Sequence, residues 1–111
     1  MILVSVPSKT VDKRHTPAKI AKVSIFDWND EKNELLERLR GISFEDVLVY
    51  IQNGGVLDVI RHPNRDRYPA QNVIVLDIDG YVWLVPYIKP GGVRFLKTVI
   101  PSRKATREYL K

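Results

Sequence analysis

The residues able to do chemistry on an anion gather in two stretches. The first is the end of the chain, where Lys97, Arg103, Lys104, Arg107 and Lys111 follow one another with Tyr109 among them. Residues 89–111 hold seven basic groups and one acidic, while the whole chain carries +5. Arg103, Arg107 and Lys111 recur at a four-residue spacing and share one face of a helix. Guanidinium groups fork onto phosphate oxygens, and a row of them can track a nucleic-acid backbone. The same residues also suit a solvated last helix that merely complements its own dipole. The second stretch is Arg61-His62-Pro63-Asn64-Arg65-Asp66-Arg67-Tyr68-Pro69. It sets a histidine, the usual proton-transfer side chain near neutral pH, among three arginines and a tyrosine. A loop histidine tied to a backbone hydrogen bond has the same appearance.

Several chemistries are excluded or unsupported. The chain has no cysteine, which removes disulfides, thiolate metal sites and thiol nucleophiles and fits a reducing compartment. Two histidines, His15 and His62, make a structural zinc site unexpected. There is no Gly-rich phosphate cradle and no Gly-x-Ser-x-Gly elbow, so no cofactor is expected and serine or metal hydrolysis has no support. The apolar runs are far shorter than the roughly 18 residues of a membrane span. Met1 to Pro7 lacks the basic segment and cleavage pattern of a secretory signal. No membrane association is expected, and the expected location is the cytoplasm.

At 111 residues, 44% apolar and 28% charged, the chain is sized and composed for one globular domain. Residues 1–22 read as an N-terminal arm or extension, with a strand-like start and then prolines, hydroxyls and basic groups without period. The domain is expected over 23–111. Val23 to Phe26 is a short strand by its β-branched and aromatic content. Asn29 can cap a helix that opens on Asp30 and Glu31, buries Leu35, Leu36 and Leu39, and stops at Gly41. Ser43 with Asp46 forms a capping box for a second helix, with Phe44, Val47, Leu48 and Ile51 as its apolar face. Val56–Ile60, Asn72–Asp79, Tyr81–Ile88 and Val93–Ile100 read as strands. Asp79-Gly80 supplies a type I′ turn and Lys89-Pro90-Gly91-Gly92 a second turn. Ser102 caps a basic helix over 103–111. This order predicts an α+β fold: a four-stranded antiparallel sheet, open to an extra N-terminal strand, packed with a helical hairpin and a C-terminal basic helix.

A tight turn at Asp79-Gly80 sets Ile78 opposite Tyr81, Leu76 opposite Trp83 and Ile74 opposite Val85. Tyr81, Trp83 and Tyr87 could stack bases, but sharing their face with three aliphatics favours a core under the helical hairpin. The opposite face collects Val73, Val75, Val82, Leu84, Asp77, Phe95, Lys97 and Val99. It needs a cover: the last helix, the N-terminal arm or another protein. Lys97, read opposite Leu84 and beside Val82 and Val99, is costly there unless it reaches water, Asp77 or a phosphate.

From Ile25 onward, about four fifths of the chain, these residues resemble BrnT-type toxins of bacterial toxin-antitoxin pairs. The resemblance is carried by Phe26-Asp27-Trp28-Asn29-Asp30-Glu31-Lys32-Asn33, by Gly41-Ile42-Ser43-Phe44-Glu45-Asp46-Val47, by the loop around His62 to Tyr68, and by Ile100-Pro101-Ser102-Arg103-Lys104-Ala105-Thr106-Arg107. The opening has Trp28-Asn29 where the family pattern has Trp-Asp, and the arm before Val23 lies outside the pattern.

The resemblance implies a RelE-like ribonuclease fold and an endoribonuclease that inhibits translation. Its activity would be restrained by a ribbon-helix-helix antitoxin, with operator DNA met only through that partner. It also implies metal-independent attack of a ribose 2′-hydroxyl on the adjacent phosphate. On the residues themselves, Lys97 and Arg103 would neutralise the phosphate, His62 or Tyr109 would handle protons, and Arg61, Arg65, Arg67, Lys104 and Arg107 would position RNA. Two other readings fit the same residues: a non-catalytic basic module that holds RNA or an acidic protein, and a degenerate toxin acting as co-repressor.

Overall fold

A computed structural model describes residues 2–7 and 21–111. In them the chain runs β1 (Ile2–Pro7), β2 (Ala21–Trp28), α1 (Asp30–Arg40), α2 (Phe44–Gln52), β3 (Val56–Arg61), β4 (Asn72–Ile78), β5 (Tyr81–Ile88), β6 (Val93–Leu96), β7 (Ile100–Pro101) and α3 (Arg103–Tyr109). The fold is α+β. The sheet order is β1-β2-β6-β5-β4-β3, with β7 pairing β5. β2 and β6 are parallel and the other pairs antiparallel. β1 carries the start of the expected arm into the sheet, pairing from Ile2↔Phe26 to Pro7↔Ala21; residues 8–20 of that arm lie outside the described residues.

The seven strands correct the expected four, for two physical reasons. A two-residue alternation gives a strand's faces but not its neighbour, so the short strand expected at 23–26 gave no sign that it extends over Ala21–Trp28 and joins β6. The continuous strand expected over 93–100 is also broken. Tyr87↔Leu96 and Leu84↔Ile100 are both paired, so four residues advance against three on β5, which is a bulge. The extra residue turns Val99 to the helical-hairpin side, where it is fully buried with Phe44 and Leu96. The Arg40 guanidinium donates to the Val99 carbonyl and fixes the kink.

The hairpin turn lies where the sequence places it, with Ile78↔Tyr81, Leu76↔Trp83 and Ile74↔Val85 paired. Asp79 and Gly80 both have positive φ (52° and 87°), as a type I′ turn requires. One sheet face (Ile74, Leu76, Ile78, Val85, Tyr87 and Leu96) packs under α2, whose Phe44, Val47, Leu48 and Ile51 are all buried. Tyr81, expected in that core, lies exposed beside the turn.

Local signals set both helices. Asn29 accepts from the Lys32 N–H (2.9 Å) and Gly41 closes α1 at φ 68°. Ser43 and Asp46 form the full capping box. Asn33 adds a second tie, accepting from Phe44 N–H (2.6 Å) and donating to Glu45 Oε1 (2.7 Å). The expected stripe on α1 holds only in part: Leu36 is 3% exposed but Leu39 is 72% exposed and Leu35 is also exposed. Asn33, Arg40 and the junction with α2 hold this helix, so a full apolar stripe is not needed.

After α2 the chain must turn back against the sheet. Gly55 N–H donates to the Tyr50 carbonyl (2.9 Å) and Asp77 N–H to the Gly55 carbonyl (2.8 Å). A Cβ at Gly55 would stand 2.9 Å from both the Asp77 and Tyr50 carbonyl oxygens. Because both obstacles are backbone, Gly55→Ala is expected to cost about 1–3 kcal/mol. Urea denaturation would read this as a lower midpoint with unchanged slope, and an unchanged midpoint would contradict the close approach.

Candidate nucleic-acid interface

The second sheet face is covered in part by α3. Val75, Val82 and Ala105 are buried together, with Leu57, Ile60, Leu84, Tyr109 and Leu110 packed around them. The helix is pinned to β5 by polar bonds as well. Ser102 N–H donates to the Val82 carbonyl and Val82 N–H to Thr106 Oγ1, each 2.9 Å, while Ser102 Oγ accepts from Ala105 N–H. In the stretch Ser102-Arg103-Lys104-Ala105-Thr106, the small and hydroxyl residues therefore do structural work, and Arg103, Lys104 and Arg107 are left exposed.

Tyr109 takes part in the same docking. Its hydroxyl donates to Asp58 Oδ2 (3.0 Å), a partner 51 residues away that no local signal in the sequence indicates. That hydrogen bond, then desolvation and the nearby carboxylates, raises the Tyr109 pKa above the ordinary tyrosine value. The Tyr50 hydroxyl, bonded to Asp79 Oδ2 at 2.7 Å, is raised for the same kind of reason. A raised pKa in the folded state means that the stabilisation is fully present below the unfolded value, about 10, and is lost as pH rises through the folded one. Phenolate absorbance on alkaline titration should show a late-ionising component that shrinks in Tyr109→Phe and again in Tyr50→Phe. A late component of the same size in both variants would contradict both bonds.

Lys97 departs from its expected place. Ile100, not Lys97, lies opposite Leu84, and Lys97 N–H instead donates to the Pro86 carbonyl (2.8 Å). The side chain is exposed, its ammonium 5.6 Å from the centre of the Phe95 ring, so it bears no burial penalty and gains a modest cation–π attraction. Its backbone stands at Pro86 while Ser102 stands at Val82, so four residues of β5, about 13 Å, separate Lys97 from the start of α3.

The other cations converge at the end of the sheet where β3 stops, β4 begins, β5 stops and β6 begins. Arg61 pairs with Asn72, which pairs with Tyr87, which pairs with Leu96. One row further on, His62 N–H donates to the Gln71 carbonyl (3.0 Å), and Ile88 pairs with Phe95, which pairs with Asp27. Arg61, Arg65, Arg67 and Lys89 are exposed around this end. The opposite end carries Asp77 and Asp79 beside Tyr50. Residues 61–69 carry three arginines and one acidic group, Asp66, a local excess that attracts an anion.

That loop is internally folded. Asn64 Oδ1 accepts from Arg67 N–H (3.3 Å), the Asn64 carbonyl from Tyr68 N–H (3.0 Å), and the Tyr68 carbonyl from Gln71 N–H (3.2 Å). His62 Nδ1 accepts from Asn64 N–H (3.1 Å). The His62 ring lies 4.4 Å from that of Tyr68, and the Arg67 guanidinium 5.5 Å from the Tyr68 ring centre. Aromatic rings packed at a tilt of 41° beside cations suit single-stranded nucleic acid.

Of the residues expected to act together, the fold groups Arg61, His62, Arg65 and Arg67 at one end of the sheet and sets Lys97 three strands away, on the face opposite to that of Arg61. Arg103, Lys104 and Arg107 lie on the outer side of α3, and Tyr109 lies inward on Asp58. Among the described residues no three His, Asp or Glu side chains gather to hold a metal ion, and no helix is long and apolar enough to cross a membrane. No protein-family model, curated protein or solved structure matches the chain.

Proposed function

We propose that this chain is a cytoplasmic endoribonuclease of RelE-like arrangement that binds single-stranded RNA at the cationic end of its sheet and cleaves it without a metal ion. In this reading it is the toxin of a pair whose ribbon-helix-helix antitoxin restrains it. The observation that carries the reading is the ordered loop with Arg61, Arg65, Arg67 and the packed His62 and Tyr68 rings, set at the same sheet end as Phe95. RNA entering this field would have its phosphates held by the arginines and its bases offered ring faces. Lys97 would neutralise the negative charge that grows on the phosphate as the neighbouring 2′-hydroxyl attacks it. The outer cations of α3 would extend the backbone track.

A second reading rests on a specific observation: the Tyr109 hydroxyl is engaged by Asp58, and the backbones of Lys97 and Ser102 stand four residues apart along β5. That arrangement favours a module that holds RNA without cutting it. Incubating the full chain with end-labelled single-stranded RNA in chelator separates the two. Fragments support the ribonuclease; salt-sensitive binding without fragments supports the module. Absence of both would overturn each.

A further inference from the structure

The bond made by one nitrogen of His62 decides what the other can do. Nδ1 accepts the Asn64 backbone N–H, and a ring nitrogen that accepts must present a lone pair. A neutral imidazole has one lone pair and one N–H, so this contact assigns the proton to Nε2. A base that removes a hydroxyl proton through Nε2 needs the lone pair there, and the neutral ring held in this way has none. It has an N–H donor instead.

Three features hold the ring in that state. The Asn64 N–H is fixed because the Asn64 carbonyl and side chain are themselves bound by Tyr68 and Arg67. The Tyr68 ring packs against the imidazole at 4.4 Å. The His62 backbone is tied to Gln71 as an extension of the β3–β4 ladder. The exposed Arg61, Arg65 and Arg67 make an anion the ligand this site would recruit.

We propose that His62 serves as a hydrogen-bond donor from Nε2 to a phosphate oxygen of bound RNA, with Asn64 and Tyr68 as positioning residues, and that it is not the base of the reaction. This rests on the reading that RNA engages the β3–β4 loop, but it does not require that the RNA be cut.

The experiment has three readouts on the full chain. Nitrogen-15 imidazole spectra should show the Nε2–H form for His62, preserved in Tyr68→Phe and converted to a mixture in Tyr68→Ala. Binding of a single-stranded oligouridylate should fall about tenfold in His62→Ala, the loss of one hydrogen bond to a charged group. His62→Gln, which places an amide donor near the position of Nε2 but cannot take up a proton, should stay within about threefold of the parent in binding. If the chain cleaves RNA, the glutamine variant should keep cleaving. An Nδ1–H form, a glutamine variant as weak as alanine, or an alanine variant that binds like the parent would each overturn the donor role. A parent that binds and shows these effects without cleaving leaves the donor standing and removes only the ribonuclease reading.

Discussion

Phe44→Ala is expected to lower the unfolding free energy by about 3–5 kcal/mol, a large share of what a domain of this size possesses. Phe44 has no exposed surface and opens α2. Its ring lies 5.6 Å from that of Trp28, and its N–H is held by Asn33. Removing the ring leaves a cavity where β2, both helices and the sheet meet, and the neighbouring backbone is too constrained by caps to collapse into it. Chemical denaturation followed by circular dichroism measures this. A loss below about 1 kcal/mol would contradict the assignment of Phe44 as the joint between hairpin and sheet. Leu39→Ala on the exposed side of α1 provides the contrast and should stay within about 0.5 kcal/mol of the parent.

The largest functional effect is expected from removing three charges together. Arg61→Ala, Arg65→Ala and Arg67→Ala in one chain should weaken single-stranded RNA binding at low salt. They should also flatten the dependence of log affinity on log salt by about two, since each phosphate contact on a single strand contributes roughly 0.7 to the slope. These side chains are exposed, so stability should hardly change and a loss of binding could not be blamed on unfolding. The matched change of Arg103, Lys104 and Arg107 to alanine should have the smaller effect, because those cations lie on α3 rather than in the loop itself. A salt slope untouched by the first variant, or changed more by the second, would move the RNA site to α3.

Much of the scaffold was legible because its signals are local. Caps at Asn29 and Ser43, the turn at Asp79-Gly80 and the alternation of Ile74, Leu76 and Ile78 each depend on residues within a few positions, and each is present as read. What the sequence could not disclose were contacts between distant segments. The parallel pairing of β2 with β6, the bulge that inverts Val99, and the Tyr109–Asp58 bond join residues tens of positions apart. The site suffered from the same limit. Reading Val93–Ile100 as one strand placed Lys97 against Leu84 as a strained buried cation, whereas the actual register sets it two residues further along β5, at Pro86, as an exposed neighbour of Phe95. The loop cluster was visible as composition, but the bond from Asn64 to His62, on which the proposed donor role rests, is a matter of backbone geometry.

The central claim is that RNA engages the end of the sheet formed by the β3–β4 loop and the β5–β6 junction. Amide chemical-shift mapping with a short single-stranded RNA tests it most directly. The account predicts that the largest shifts fall within residues 61–72 and 88–97, with the turn at Asp79-Gly80 and helix α1 unmoved. Shifts concentrated on α1 or on that acidic turn, or no shifts at an RNA concentration that saturates binding, would contradict it.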